Sequence, residues 1–166
     1  MGLDMYLRAQ KYVSGYRYQR EEKDPEVNEF DRLVDLFGMK EFVSDDSPHA
    51  YVEFTIGYWR KANHIHQWFV ENVQGGVDEC QEAHVSKDQL LALRSACEMV
   101  LGAREKVGAA RVAEEELPTQ EGFFFGTTEY DEWYWQDTEH TIEVINKALA
   151  LLESGGYWSI IYQSSW

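Results

Sequence analysis

Basic residues are scarce in this chain, and between residues 112 and 146 there are none. Over the 166 residues, 30 Asp and Glu stand against only 15 Lys and Arg, which gives a formal net charge of −15 at pH 7. Such a surface repels the phosphates of nucleic acids and attracts basic partners. We therefore expect no direct nucleic-acid binding.

Cysteines and long apolar runs are also few. The two cysteines, Cys80 and Cys97, do not form a CxxC motif or a disulfide framework, which fits a reducing compartment. No stretch approaches the length of a membrane span, and the N-terminal residues lack an apolar run of signal-peptide length. These features predict a cytoplasmic protein that does not enter the membrane.

The motifs of the common enzyme classes are missing as well. There is no phosphate-binding glycine loop, no nucleophile elbow and no HExxH metal motif. His64 and His66 are two residues apart, so on a helix they point about 200° apart and do not share a metal ion. We predict no cofactor and no metal. Whether the chain is an enzyme is left open, with binding favoured over catalysis.

The segment 112–146 is both acidic and aromatic. Its ten carboxylates are Glu114, Glu115, Glu116, Glu121, Glu129, Asp131, Glu132, Asp137, Glu139 and Glu143. Its seven aromatic residues are Phe123, Phe124, Phe125, Tyr130, Trp133, Tyr134 and Trp135. A solvated acidic surface is the simpler explanation of the charge, but the aromatic rings are also able to anchor a core or an interface.

Hydrophobic periodicity along the chain predicts an α+β fold. We expect a single globular domain over residues 1–166, with one small sheet packed against three to four helices. The predicted strands are 2–8, 11–18, 50–57, 122–126 and 157–163. The predicted helices begin at Asp24-Pro25, at Tyr58, after the capping box that starts at Ser86, and near residue 129. The Ala- and Glu-rich residues 102–116 allow a further helical segment after the third helix.

The first candidate site lies on the helix predicted from Tyr58 to Val73. At 100° per residue, Trp59, Asn63 and His66 form a row beside the buried stripe of this helix. An aromatic ring, an amide and an imidazole in one row are suited to line a ligand pocket. His64 falls on the opposite, exposed side. The alternative is that His66 is a hydrogen-bonded histidine at the edge of the core.

The second candidate is the loop 73–80, where paired glycines precede Asp78. Glycines bring backbone close to a ligand, and Asp78 would then make a polar contact. Termination of the preceding helix by Gly75 is the simpler explanation.

The third candidate is the segment 117–134. Three consecutive phenylalanines at 123–125 cannot all face one core, so at least one points elsewhere. The carboxylates Glu129, Asp131 and Glu132 are able to hold Mg²⁺ or Ca²⁺ or to bind basic side chains, but their spacing does not match an EF-hand loop. Carboxylates at the start of a helix are also favourable by themselves, and this is the simpler explanation. The candidate ligand- or partner-binding residues of all three sites are Trp59, Arg60, Asn63, His66, Asp78, Gln120, Thr128, Tyr130, Asp131 and Trp133.

Several motifs resemble a family of small acidic proteins of unknown function encoded by bacteriophages and prophages. They are Met-Gly-Leu-Asp-Met-Tyr-Leu at 1–7, Gly-Tyr-Trp-Arg-Lys-Ala-Asn at 57–63 with Ile65-His66 and Trp68-Phe69-Val70, Asn72-Val73-Gln74, Gly76-Val77-Asp78 with Cys80, Val85-Ser86-Lys87, Leu117-Pro118-Thr119-Gln120, and Gly122-Phe-Phe-Phe-Gly126 with Thr128-Glu129-Tyr130-Asp131. The resemblance implies phage origin and action in the cytoplasm of a host cell. Within it, the polar positions to test first are Arg60, Lys61, Asn63, His66, Asp78, Gln120 and Tyr130.

Charge, aromatic content and this resemblance favour a phage accessory protein that acts by binding. The expected activity is inhibition of a basic host protein, such as a CRISPR or other immune complex, or sequestration of a small signalling molecule. The alternative is a small enzyme or ligand-binding sensor that uses a pocket at Trp59, Asn63 and His66. An exposed surface at Phe123–Phe125, or the C-terminal strand, would favour a homodimer.

Overall fold

The computed structural model describes residues 2–17 and 24–166, and in them the chain has the expected α+β architecture. The sheet is antiparallel, has four strands and follows the order β2-β1-β4-β3. Its strands are β1 (Asp4–Ser14), β2 (His49–Arg60), β3 (Ala83–Val85) and β4 (Trp158–Ser165). The helices are α1 (Pro25–Phe37), α2 (Asn63–Asn72), α3 (Lys87–Ala103), α4 (Ala109–Glu116) and α5 (Glu132–Glu153). The described part thus has five helices, rather than the three to four expected.

The chain divides into two compact units. The first contains Met1–Ala9 and Thr55–Trp166, and the second contains Gln10–Phe54. All ten candidate site residues belong to the first unit. A single domain over 1–166 stays a prediction. No helix in the described residues has the length and apolar character needed to cross a membrane.

The alternation at the N-terminus is confirmed. Leu3, Met5 and Leu7 are fully buried, whereas Asp4 and Tyr6 on the other face of β1 are half-buried. A strand with this pattern places every second side chain in the core. Residues 11–14, which were predicted to begin a second strand, continue β1. Residue 18, the end of that predicted strand, lies outside the described residues.

The boundary between β2 and α2 differs from the prediction. The helix was expected from Tyr58, but the strand continues to Arg60 and the helix begins at Asn63. Trp59 is buried between the exposed Tyr58 and Arg60, so the alternation of a strand continues through these residues. Lys61 then adopts a φ of 63°, which ends the strand. Trp59 therefore does not share a helical row with Asn63 and His66.

The first-unit core lies between the sheet and the helices α2, α3 and α5. The capping box at the start of α3 is confirmed, because the Ser86 hydroxyl accepts from Gln89 N and the Gln89 side chain accepts from Ser86 N. Leu90, Leu93 and Cys97 of α3 are buried in that core, and α3 packs along α5.

The predicted strand at 122–126 is wrong. These residues form a turn in which Phe125 N donates to Gly122 O at 3.1 Å. A Cβ on Gly122 would lie 2.5 Å from the Phe125 ring, so the turn requires glycine at this position. Gly126 leaves the turn with a φ of 91°, which favours glycine again. The backbone conformations that glycine permits at these two positions therefore produce a turn, although the apolar run predicted a strand.

The second unit contains α1 and the parts of β1 and β2 that belong to it. Val27 and Phe30 of α1 are buried, and Gly15 lies so close to the Phe30 ring that a Cβ there would be 2.6 Å from it. A cavity of about 630 Å³ opens in this unit. None of the candidate site residues lines it.

Candidate partner-binding surface

The acidic and aromatic residues of the segment 112–146 meet on an exposed surface around the 122–125 turn. We call the residues Glu121, Phe123, Glu129, Glu132 and Trp133 the acidic–aromatic surface. Phe123 is 95% exposed and Trp133 is 71% exposed, and all three carboxylates are exposed. One open groove is lined by Glu121, Phe123, Thr127 and Thr128. Thr127 also lines a neighbouring cleft with Glu129 and Trp133, so the groove and the cleft adjoin.

Much of the negative charge of this segment is not balanced by basic side chains. Arg104 Nη2 lies 2.6 Å from Glu132 Oε2 and Arg104 Nη1 lies 3.2 Å from Glu139 Oε1. By contrast, Glu121 and Glu129 form no ion pair with any residue that the structure describes. A cationic group of a partner would therefore meet carboxylates that have no competing ion pair there.

The cleft beside Trp133 is narrow and polar. It has a volume of about 30 Å³ and is lined by, among others, Lys61, His64, Glu129 and Asp137. The pKa of Asp137 is raised to about 6, chiefly by burial; the neighbouring His140 opposes this shift and the Asp131 carboxylate adds to it. A cavity of this size holds a water molecule or one small polar group, not a drug-sized ligand.

Asn63 fixes the backbone of the loop that carries Phe123. Its Nδ2 donates to Phe125 O at 3.0 Å and to Thr127 O at 2.8 Å, and its Oδ1 accepts from Gln120 N at 3.1 Å. The side chain is 2% exposed. Because both ends of the amide are occupied by loop backbone, Asn63 supports the loop and does not present a hydrogen-bonding edge to a ligand.

His66 lies beneath the same loop and is hydrogen-bonded on both sides. Its Nδ1 is 2.7 Å from the Tyr162 hydroxyl, and its Nε2 is 3.0 Å from Asp78 Oδ2. A carboxylate accepts, so Nε2 carries the proton and Nδ1 accepts from Tyr162. Burial lowers the pKa of His66, and the hydrogen bond to Asp78 opposes this shift. The ring edge also contacts Phe125, with centroids 5.2 Å apart.

This hydrogen-bonded chain continues to the last residue. Trp166 Nε1 donates to Asp78 Oδ1 at 3.1 Å, and the Trp166 ring meets Phe125 edge-on at 6.1 Å. Burial raises the pKa of Tyr162 well above its usual range. The hydroxyl therefore stays protonated and donates to His66. We call Asn63, His66, Tyr162 and the half-buried Asp78 the buried brace; Trp166 is 48% exposed and lies outside it.

Trp59, the remaining member of the predicted pocket, lies elsewhere. It is 2% exposed, and its Nε1 donates to Thr141 Oγ1 of α5 at 2.9 Å. His64, which was expected on an exposed face, is buried instead. Its Nε2 donates to Thr138 Oγ1 at 3.1 Å, because the Thr138 hydroxyl itself donates to Tyr134 O. Burial lowers the pKa of His64 to about 3.

The other candidate residues occupy different environments. Asp131 is the N-cap of α5 and accepts from Trp133 N and Tyr134 N, which places the start of this helix after Thr128. Tyr130 is half-buried against Tyr134, with ring centroids 4.9 Å apart. The backbone oxygen of Thr128 accepts from the Thr119 hydroxyl at 3.0 Å. Arg60 is exposed at the end of β2 and takes no part in the buried brace.

The structure thus brings together three pairs of the predicted residues: Asn63 with Gln120, His66 with Asp78, and Asp131 with Trp133. Asn63 also lines the cleft that Asp131 and Trp133 line. The structure also places Thr128 and Trp133 at the exposed groove and cleft. Sequence reasoning missed Tyr162 and Trp166, because a contact across 96 residues, such as His66 with Tyr162, leaves no local pattern. It also left Phe123 off the site, although the run of three phenylalanines predicted that at least one would leave the core.

Comparisons with protein-family models, with curated proteins and with solved structures gave no match. The described residues also contain no group of three or more His, Cys, Asp and Glu side chains placed to hold a metal ion.

Proposed function

We propose that this protein acts by binding a basic protein through the acidic–aromatic surface. The observation that carries the proposal is that Phe123 and Trp133 are exposed beside Glu121 and Glu129, two carboxylates that form no ion pair with described residues. Lys and Arg side chains form ion pairs with carboxylates and also pack against aromatic faces. Large exposed aromatics at the centre of a charged rim are typical of residues that dominate binding energy.

In this proposal the protein is a phage accessory protein in the cytoplasm of a bacterial host, and its partner is a host defence complex such as a CRISPR or other immune complex. The net charge of −15 supports a role in which the carboxylates occupy a groove that otherwise receives nucleic-acid phosphates. The protein itself binds neither nucleic acid nor membrane.

The test is affinity capture from a bacterial lysate at low salt, followed by identification of the bound protein. We expect a basic protein that is released as the salt concentration rises. In the double variant Glu121→Gln/Glu129→Gln, affinity should fall two- to thirty-fold, since each exposed ion pair contributes about 0.2–1 kcal/mol.

The matched control is Glu41→Gln/Asp46→Asn. It changes the net charge by the same amount at exposed positions of the second unit. Equal weakening by both double variants would mean that only the overall charge matters. The absence of any basic partner at low salt would contradict the proposal.

Sequestration of a small molecule is a second candidate, and the cavity of the second unit favours it. Its volume of about 630 Å³ falls in the range of ligand pockets, and its walls include Phe30 and Val34 beside Arg17 and Lys40. Native mass spectrometry of protein purified gently from bacteria tests this candidate. A bound mass of a few hundred daltons would support it, and a bare chain would count against it.

An enzyme or sensor at Trp59, Asn63 and His66 is not supported by the geometry. The three side chains bond to Thr141, to the 120–127 loop and to Tyr162 with Asp78, respectively. They therefore do not converge on a shared ligand.

A further inference from the structure

We propose that Phe123 is the anchor of the interface: its ring enters an apolar pocket of the partner whose rim carries Lys or Arg, and Asn63 is the residue that positions it. This inference rests on the proposed function and names the residue and the partner chemistry through which it operates.

The exposure of Phe123 follows from how its two neighbours are held. Phe124 O accepts from Leu3 N at 3.1 Å, which ties the turn to the residue before β1. Phe125 is 7% exposed and contacts both His66 of the buried brace and the more exposed Trp166. With the next two residues fastened to the core, the Phe123 ring extends into solvent and contacts Phe124 edge-on at 4.8 Å.

The loop on either side of the phenylalanines is fastened too. The Asn63 side chain is hydrogen-bonded to the backbone of Gln120, Phe125 and Thr127, so it holds the loop in place before and after Phe123. The Thr119 hydroxyl donates to Thr128 O at 3.0 Å and closes the base of the loop. Because the loop backbone is already fixed, little backbone entropy is lost when a partner binds the exposed side chain, which is the property of a preorganised anchor.

The surroundings of Phe123 determine the chemistry of the partner. An open groove of about 600 Å³ lies beside the ring and presents the Glu121 carboxylate with the residues Thr127 and Thr128. The segment 112–146 supplies no Lys or Arg to the groove, and Lys61 lies beside it against Gly126. A partner pocket for the ring is therefore complementary when it is apolar inside and basic at its edge.

The test uses the basic partner identified by low-salt capture and measures its dissociation constant by calorimetry. Phe123→Ala should weaken binding at least 30-fold, as expected for a central aromatic anchor. The matched control is Val107→Ala, which removes a fully exposed apolar side chain from the connection between α3 and α4. This control should change affinity less than threefold.

The positioning role of Asn63 is tested by a double-mutant cycle. Asn63→Ala should weaken binding about tenfold in the Phe123 background and have almost no effect in the Phe123→Ala background, since it then has no ring to position. Circular dichroism at the assay temperature confirms that each variant is folded. Equal losses in both backgrounds would show that Asn63 affects binding independently of Phe123 and would overturn its positioning role.

The outcomes separate this inference from the proposed function. If Glu121→Gln/Glu129→Gln weakens the complex while Phe123→Ala leaves it within threefold, the acidic surface binds the partner but the anchor inference is wrong. If no basic partner is captured at low salt, both are wrong.

Discussion

The buried His64 makes a quantitative prediction about stability and pH. Its ring is 3% exposed and packs on Tyr134 with centroids 4.1 Å apart. Burial lowers its pKa from 6.5 to about 3 in the folded protein. In the unfolded chain the pKa returns to about 6.5. Between these values the unfolded state binds more protons than the folded state, so stability falls as the pH falls from about 6.5 toward 3.

The size of the effect follows from the same two pKa values. Between pH 7 and pH 5, protonation of the unfolded histidine lowers the free energy of unfolding by about 2 kcal/mol. The perturbation is His64→Gln, which removes the titrating group but retains an N–H donor for Thr138. The stability advantage of the native chain over this variant should therefore shrink by about 2 kcal/mol from pH 7 to pH 5.

The assay is urea unfolding followed by tryptophan fluorescence at the two pH values. Comparing native chain with variant cancels the other titrating groups. These include Asp137, whose raised pKa acts in the opposite direction, and His66, whose lowered pKa acts in the same direction. The control is Asn72→Ala at the exposed end of α2, which removes no titrating group, so the stability difference between the native chain and this variant should not depend on pH. If the difference in free energy of unfolding between the native chain and His64→Gln is the same at pH 7 and pH 5, the assignment of a neutral, buried imidazole is refuted.

Two further substitutions test the fold around the loop and the sheet. Asn63→Ala removes the side chain that satisfies three backbone groups, so the free energy of unfolding in urea should fall by about 2–4 kcal/mol. The control Asn72→Ala, at the exposed end of α2, should lower it by less than about 1 kcal/mol. Gly57→Ala places a Cβ where it overlaps Val144 Cγ1, so the melting temperature should fall with a loss of about 1–3 kcal/mol. Gly102→Ala, a helical position with open space, should instead raise it; a loss there would contradict the account of helix α3.

Elements with one clear local signal were predictable from the sequence. The alternation of β1 and the capping box at Ser86 each follow from a few adjacent residues, and both are confirmed. The start of α2 was not predictable, because Tyr58, Trp59 and Arg60 fit the apolar periodicity of a helix as well as the alternation of a strand. Burial of Trp59 against α5, a tertiary contact with Thr141, decides between the two.

The candidate site was predictable in its residues but not in their roles. Asn63, His66 and Asp78 were expected to face a ligand, and each instead bonds within the protein, beneath the loop. Their partners lie far away in sequence, at Gln120–Thr127 and at Tyr162, so no local pattern reveals that the polar groups are already satisfied. The exposure of Phe123 likewise depends on contacts that fix its neighbours.

The central claim is that the acidic–aromatic surface is the binding surface. Hydrogen–deuterium exchange of the chain alone and in complex with the captured basic partner tests it most directly. We predict slower amide exchange across residues 121–133 in the complex and unchanged exchange in Gln10–Phe54. Protection confined to Gln10–Phe54, with residues 121–133 exchanging as in the free chain, would contradict the claim.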